Sequence, residues 1–397
     1  MTRSSPIAAF RRPMPPRDPH EAQRVATPLE LFFDLVSVIA IAAAAAGLHH
    51  AIAENHAAQG VITFLIAFFA VWWAWMNYTW FASAYDNDDA VFRLLTFVIM
   101  AGSLTMASGI GNDFDFRMGV AGYVIMRIAM VAFWLRAARH DGKRRAAALT
   151  YAGGIAAVQA YWILFLLLQP LSTLPLVALF TLGVVLELAV PVLAERKINT
   201  PWHRHHIIER YGLLNIIVLG ETLLSGALAL RQVSDGAPQI GFVHITLSAL
   251  VIVFSMWWLY FVREEHLDRS DLGRAIPWGY GHFVIYASGA AVGAGFAVLV
   301  DIVAGKAHVP LLAGDYAVAV PVALYMLGLW FVRDRFCFAA SRACFVLPVF
   351  AALVLIAPLL LALEGVALVT ALSVVARHHM ARQGQVGSQA RGESAAE

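Results

Sequence analysis

The sequence predicts an all-α fold, a polytopic transmembrane helical bundle of about twelve spans, and three observations predict it. Of 397 residues, 60% are hydrophobic and only 14% charged, and the mean hydropathy is +0.70; a soluble chain of this size needs more surface charge to stay dispersed. The apolar residues fall into blocks of about 17 to 24 residues, enough to cross a hydrocarbon core of about 30 Å. Lysine and arginine concentrate in alternate links between those blocks, as the positive-inside rule requires.

In order, the candidate spans are 28–48, 61–81, 94–110, 119–135, 151–168, 174–193, 211–230, 242–262, 280–303, 315–332, 343–361 and 362–376. The last two share one apolar block, predicted to fold back near Glu364 and Gly365. With twelve spans and the N-terminus inside, 24 of the 28 Lys and Arg fall on the cytoplasmic side. Arg117, Arg231 and Lys306 fall outside and Arg127 within a span; eleven spans would move Arg377 and its neighbours outside. The expected arrangement is therefore a multi-pass membrane protein with both termini cytoplasmic. The arginine- and proline-rich start lacks the signal-peptide pattern.

The chain divides by composition into a disordered tail (1–26), a first transmembrane half (27–194), a cytoplasmic link (195–208), a second half (209–376) and a polar tail (377–397). Phe69, Trp72 and Trp73 recur as Phe254, Trp257 and Trp258 at a constant offset of 185. Trp134–Arg136 ending the fourth span is answered by Trp330–Arg333 ending the tenth. These recurrences suggest a parallel six-plus-six internal repeat, since an even number of spans per half preserves orientation. The aromatic crowding is equally what an interfacial belt and helix packing would give.

The residues that could carry chemistry are ionisable groups at membrane depth, where a bare charge is expensive. Thr27-Pro28-Leu29-Glu30 reads as a capping box with proline at N1, which gives Glu30 a structural role beside any functional one. Asp34 lies one turn further in, on the face of Glu30 and Val38, and must be neutral, paired or facing a wet space. Glu221 sits near the middle of its span beside Gly220 and Thr222. Glu187 and His282 are further embedded groups. Arg127 is the candidate counter-charge, because arginine does not readily deprotonate, and Asp34 or Glu221 is its favoured partner.

His203, His205, His206, Glu209 and Arg210 lie in or just past the cytoplasmic link. Their spacing is not His-Glu-x-x-His and the surroundings are cationic, so no metal site is assigned; an interfacial basic link touching phospholipid suits them better. Asp86, Asp88 and Asp89, with Glu264 and Glu265, form acidic patches that gather cations or anchor helix ends. Gly289, Gly293 and Gly295 suit close helix contact. Cys337 and Cys344 match no redox or zinc spacing. No nucleotide-binding loop, hydrolase elbow or kinase signature occurs, so no catalytic residue is assigned and no cofactor is expected.

Two stretches, Thr27-Pro-Leu-Glu-Leu-Phe-Phe-Asp-Leu-Val and Glu209-Arg-Tyr-Gly-Leu-Leu-Asn-Ile-Ile-Val-Leu-Gly-Glu-Thr, occur together in that order. In them the chain resembles the bacterial low-temperature-requirement A family of multi-pass membrane proteins, from about Arg24 to Arg377. The resemblance implies a membrane location and a link to growth in the cold, and makes Glu30, Asp34, Glu209, Arg210 and Glu221 the motif positions. It implies no settled substrate or reaction. Ser37 and Asn215 depart from the pattern without touching the acids.

The leading expectation is a proton- or cation-coupled secondary transporter or permeation protein, in which Asp34 and Glu221 bind the ion and Arg127 biases them. A lipid-handling membrane enzyme using the 195–208 link, or a membrane sensor or scaffold, is the alternative. The expected partners are membrane lipids and a small solute or ion; no nucleic acid is expected, and a homo-oligomer is left open.

Overall fold

Every regular element among the described residues is helical. The structure is a computed structural model and describes residues 12–22, 24–110, 116–196, 198–231, 240–262, 267, 272–338 and 342–393. The helices are α1 (Pro28–Ala53), α2 (Ala57–Tyr85), α3 (Ala90–Ser108), α4 (Phe116–His140), α5 (Arg145–Leu167) and α6 (Thr173–Ala194). They continue with α7 (Arg204–Arg231), α8 (Ile240–Phe261), α9 (Leu272–Val303), α10 (Leu311–Leu329), α11 (Val346–Ile356) and α12 (Pro358–Glu393). Ten of the described helices are long and apolar enough to cross a bilayer. α7 adds a 28-residue helix, and Arg342–Ile356 is a shorter apolar one.

Burial is inverted relative to a water-soluble bundle. On α1, Phe32, Leu35 and Ile39 are about half exposed, whereas Glu30 and Asp34 are completely buried. Arg127, Glu187, Arg210, Arg333 and Asp334 are equally inaccessible. Apolar side chains outside and charges inside is the pattern that hydrocarbon imposes, because an ionised group facing lipid finds no partner.

The chain divides into two compact units, each discontinuous in sequence: Met1–Ala44 with Ile66–Leu213, and Ala45–Leu65 with Leu214–Glu397. In the first, α3 to α6 pack each on the next. The α3–α4 crossing is set by reciprocal glycines: a Cβ on Gly102 would lie 2.7 Å from the Gly122 carbonyl oxygen, so any side chain there would push the helices apart. In the second unit, α9 packs on α10, α10 on α11 and α11 on α12, while α12 also covers α8.

Several expectations need correcting. The described part of the N-terminal tail is not structureless: Met14 is fully buried, the Arg17 amide donates to the Ala84 carbonyl at 2.9 Å, and Arg24 is buried against the 86–89 loop. At the other end, α12 continues to Glu393, through most of the expected polar tail. The final apolar block breaks at the expected boundary between the last two spans, at Leu361 and Ala362, the latter with φ 49°, and not at Glu364–Gly365. Trp72 and Trp73 are buried, but Trp257 and Trp258 are 47% and 54% exposed, so the aromatic offset does not mark equivalent environments. Glu264, Glu265 and residues 1–11 lie outside the described residues.

Candidate functional site

Among the described residues, the completely inaccessible charged side chains of the first unit fall in two clusters. The one nearer the arginine-rich links begins at the N-terminus of α1, where the capping box forms as read. The Thr27 amide donates to Glu30 Oε2 at 2.8 Å, and the Glu30 amide donates to Thr27 Oγ1 at 3.3 Å. That uses one Glu30 oxygen. The other meets Arg210 Nη1 at 2.9 Å and His206 Nε2 at 3.2 Å, both from the first turns of α7.

One turn further along α1, Asp34 Oδ1 accepts from Arg210 Nη2 and from Trp75 Nε1, the latter at 2.7 Å. Asp34 Oδ2 accepts no hydrogen bond among the described residues, and His206 Nδ1 and Arg210 Nε are likewise without a hydrogen-bond partner there. The cluster therefore holds buried polar atoms that no hydrogen bond among the described residues satisfies, and so do Arg127 and Gln159.

The N-terminal segment and the α2–α3 loop close this cluster. Arg24 lies 3.7 Å from Glu30 and 3.5 Å from Asp86. Asp86 accepts the Asp88 amide at 2.8 Å. Burial pushes its carboxyl up to about 6, aided by the nearby Glu30 charge and opposed by that amide and by Arg24. Counting His206 as neutral, three carboxylates (Glu30, Asp34, Asp86) face two guanidiniums (Arg24, Arg210), and the cluster carries one negative charge in excess. One proton or one monovalent cation neutralises it.

Asp89 behaves differently because it is paired. It caps α3 through the Phe92 amide at 2.8 Å and binds Arg136, whose second arm also takes the Arg12 carbonyl at 2.7 Å. Burial alone would raise this carboxyl, but the Arg136, Phe92 and Arg12 bonds together hold it below the usual carboxylate range.

The second cluster lies deeper and centres on Glu187 of α6. Arg127 Nη2 donates to it at 2.7 Å, Tyr123 at 2.7 Å, Trp73 at 2.9 Å, Gln159 at 3.2 Å and Trp162 at 3.3 Å. Arg127 thus meets Glu187, and neither Asp34 nor Glu221. Five donors converge on the two oxygens of this carboxylate, so the geometry fits a charge-neutral brace joining α2, α4, α5 and α6.

Two of the three link histidines, His203 and His206, are absorbed into the fold. His203 Nε2 contacts the Glu21 carbonyl at 2.9 Å, His206 faces Glu30, and Glu209 accepts the Ala26 amide at 3.1 Å. His205 is exposed. No set of three potential metal ligands occurs among the described residues.

In the second unit, Glu221 is half-buried on α7. His282 is buried, with Nδ1 2.8 Å from the Trp278 carbonyl and Nε2 3.2 Å from the Tyr260 hydroxyl, which assigns it to packing between α8 and α9. Thr222 donates to the Gly289 carbonyl at 2.8 Å, a close α7–α9 contact of the kind the glycines suggested. A cluster that sequence reading missed joins Asp334 to Arg333 at 2.6 Å and to Nε and Nη2 of Arg377, each at 2.9 Å. It is possible because Trp330–Asp334 is π-helical: the wider turn directs two successive side chains inward.

Inverted burial, membrane-length helices and buried ion pairs define a polytopic α-helical membrane protein. A family model described as "Bacterial low temperature requirement A protein (LtrA)" matches residues 25–377, and the chain belongs to that family. It is also similar to an uncharacterised protein of Rhizobium meliloti (strain 1021), 28% identical over 278 residues; the match covers 64% of this chain and 65% of that relative's length. No solved structure matches the chain.

Proposed function

We propose that this protein is a proton-coupled secondary transporter of the bacterial inner membrane, and that Asp34 in the Glu30–Asp34–Arg210 cluster is its proton site. The observation that carries this reading is the excess carboxylate: three buried acids, Glu30, Asp34 and Asp86, face two buried arginines, Arg24 and Arg210, and Asp34 Oδ2 accepts no hydrogen bond among the described residues. A proton on that oxygen removes the surplus charge while leaving the Glu30–Arg210 pair and the Trp75 bond in place. Asp86, whose carboxyl burial pushes up to about 6, is the member of this cluster that lies in the α2–α3 loop, 3.5 Å from Arg24, and serves as the proton's entry group. Glu221, the acid in the corresponding motif of α7, is the second coupling group.

A parallel six-plus-six repeat underlies this reading. Support comes from the matching order of neighbours, α3–α4–α5–α6 in one unit and α9–α10–α11–α12 in the other. Both termini are assigned to the cytoplasm on the lysine and arginine distribution.

The test is proton uptake by the full chain in proteoliposomes loaded with a pH-sensitive dye. Under an imposed gradient the wild type should acidify the lumen faster than empty vesicles. Asp34→Asn should reduce that excess about tenfold or more, and Glu221→Gln should reduce it as well. Wild-type vesicles indistinguishable from empty ones across a solute panel, together with a fully active Asp34→Asn protein in cells, would overturn the assignment.

A further inference from the structure

The second unit contains a cleft of about 430 Å³ between the α1–α2 turn and helices α9 and α10. It falls in the size range of small-molecule sites, about 300–1,000 Å³. Its floor is narrow-bodied, formed by Ala287, Ser288 and Ala291 of α9, all at least nine-tenths buried. Its sides are open: Val61 and Leu65 on α2, and Val320 and Leu324 on α10, are 40% to 44% exposed. A cleft with apolar, exposed rims on membrane helices opens towards lipid, where water does not compete for it.

The length of the cleft identifies the occupant. Along α10 its lining runs from Ala313 to Leu324, a separation of eleven positions or about 16 Å at about 1.5 Å per residue. One leaflet of a hydrocarbon core about 30 Å thick measures about 15 Å. The ends are also unlike one another. The deep end, at Leu65, Ala287 and Leu324, is apolar. The shallow end reaches Asn55 and Val309, beside an interhelical surface that carries exposed Lys306, His56 and His308. The His308 amide donates to the Ala53 carbonyl at 2.9 Å, which ties that surface to the mouth of the cleft. Of the nearby acids, Asp301 is held by His49 at 2.7 Å and Glu54 is exposed.

We propose that the cleft seats one acyl chain of a membrane phospholipid, lying along α10 with its phosphate at the Asn55–Lys306 end. The cleft shares no residue with the Asp34 cluster, and the proposal does not depend on the transport reading. It lies in the leaflet opposite the arginine-rich links. Its small-residue floor admits a chain that larger side chains would exclude.

The test uses the full chain in nanodiscs of phosphatidylglycerol and phosphatidylethanolamine doped with a phospholipid bearing a diazirine midway along one chain. After irradiation, peptide mass spectrometry reads labelling by position. The 287–291 and 317–324 stretches should be labelled about tenfold more per residue than open lipid-facing positions such as Val349 and Leu353, a difference of about 1.4 kcal/mol. Ala291→Leu and Ala317→Leu should each remove that excess and leave Leu353 labelling unchanged. Lys306→Gln should weaken the preference for the phosphatidylglycerol probe. Labelling no greater in the cleft than on the open face would overturn the proposal, as would an excess that survives both fillings or a non-lipid molecule found seated there. Should a filled variant fail to fold, the wild-type ratio decides alone.

Discussion

Arg210 and Arg127 show how the two buried clusters differ, and the difference predicts which substitutions the protein tolerates. Glu187 has four neutral donors besides Arg127, so Arg127→Met leaves a carboxylate that is still well bonded. Replacing Glu187 with Leu instead strands a buried guanidinium and those four donors together. Breaking a buried pair costs about 3–5 kcal/mol, and each orphaned donor adds about 1–3 kcal/mol. Thermal unfolding in mild detergent should therefore rank Glu187→Leu as clearly more damaging than Arg127→Met. The pairing itself was legible by depth. Asp34 lies six residues into α1 and Arg210 six residues into α7, while Glu187 and Arg127 lie eight and nine residues short of Glu195 and Arg136. Helices rise equally per residue, so counting from the links would have matched the partners; judging only which acids most needed a cation favoured the wrong ones. Gln159, Tyr123 and Trp162 gave no such signal, because neutral donors inside apolar helices look like packing until the carboxylate they surround is placed. Asp86 yields a pH prediction. Its proton is held more tightly in the folded protein, up to about 6 against an ordinary 3.8, so its contribution to stability is greatest in acid and is lost as pH rises across that window. Asp86→Asn removes the titration. The variant's melting temperature relative to wild type should therefore be higher at about pH 7 than at about pH 4.

Helices were the easiest elements to read, because uninterrupted apolar length is all that a span requires; how they end was harder. The α11–α12 block shows why. Glu364 and Gly365 carry the polar and flexible residues a turn prefers, yet the chain breaks at Leu361 and Ala362, which advertise nothing. The determinant is upstream: Pro358 opens α12 and lacks the amide that would continue α11 past Ala357, so the irregular residues follow within one turn. Glu364 instead meets His244 at 2.7 Å on an exposed surface. Ala362, with φ 49° and ψ −143°, occupies a conformation that glycine adopts freely and a Cβ disfavours by about 1–2 kcal/mol. Ala362→Gly should accordingly raise the melting temperature slightly, and the β-branched Ala362→Val should lower it by several degrees. Equal melting temperatures for the two variants would show that the strain is not felt there. The π-helical segment at Trp330–Asp334 was illegible for a related reason. Arg333-Asp334 at a span end reads as two solvated charges, and only the wider turn brings both into a buried group with Arg377.

At the scale of the whole molecule the membrane class was fully legible, because composition and block length leave a chain of this kind no soluble solution. Which parts of the chain pack together was not: the 45–65 segment belongs to the second unit, so neither unit coincides with a contiguous half. The charge bias makes a prediction here that contacts cannot. If alternate links hold the arginines because the chain crosses the membrane between them, the α1–α2 turn and the α4–α5 link face opposite compartments. Glu54 and Gly142 are exposed in those two segments, and a side chain added at Gly142 meets nothing within 4 Å. With Cys337 and Cys344 first replaced by serine, Glu54→Cys should react with a membrane-impermeant maleimide on intact cells. Gly142→Cys should react only after permeabilisation. The same pattern should hold for a cysteine at exposed Lys306 as for Glu54, because an even number of crossings separates them in the twelve-span order. Labelling of Gly142→Cys on intact cells would invert the orientation, placing the Asp34 cluster nearer the outside and reversing the direction from which its proton arrives. Opposite results for Glu54→Cys and Lys306→Cys would break the alternation itself, and with it the six-plus-six order on which the pairing of Asp34 with Glu221 rests.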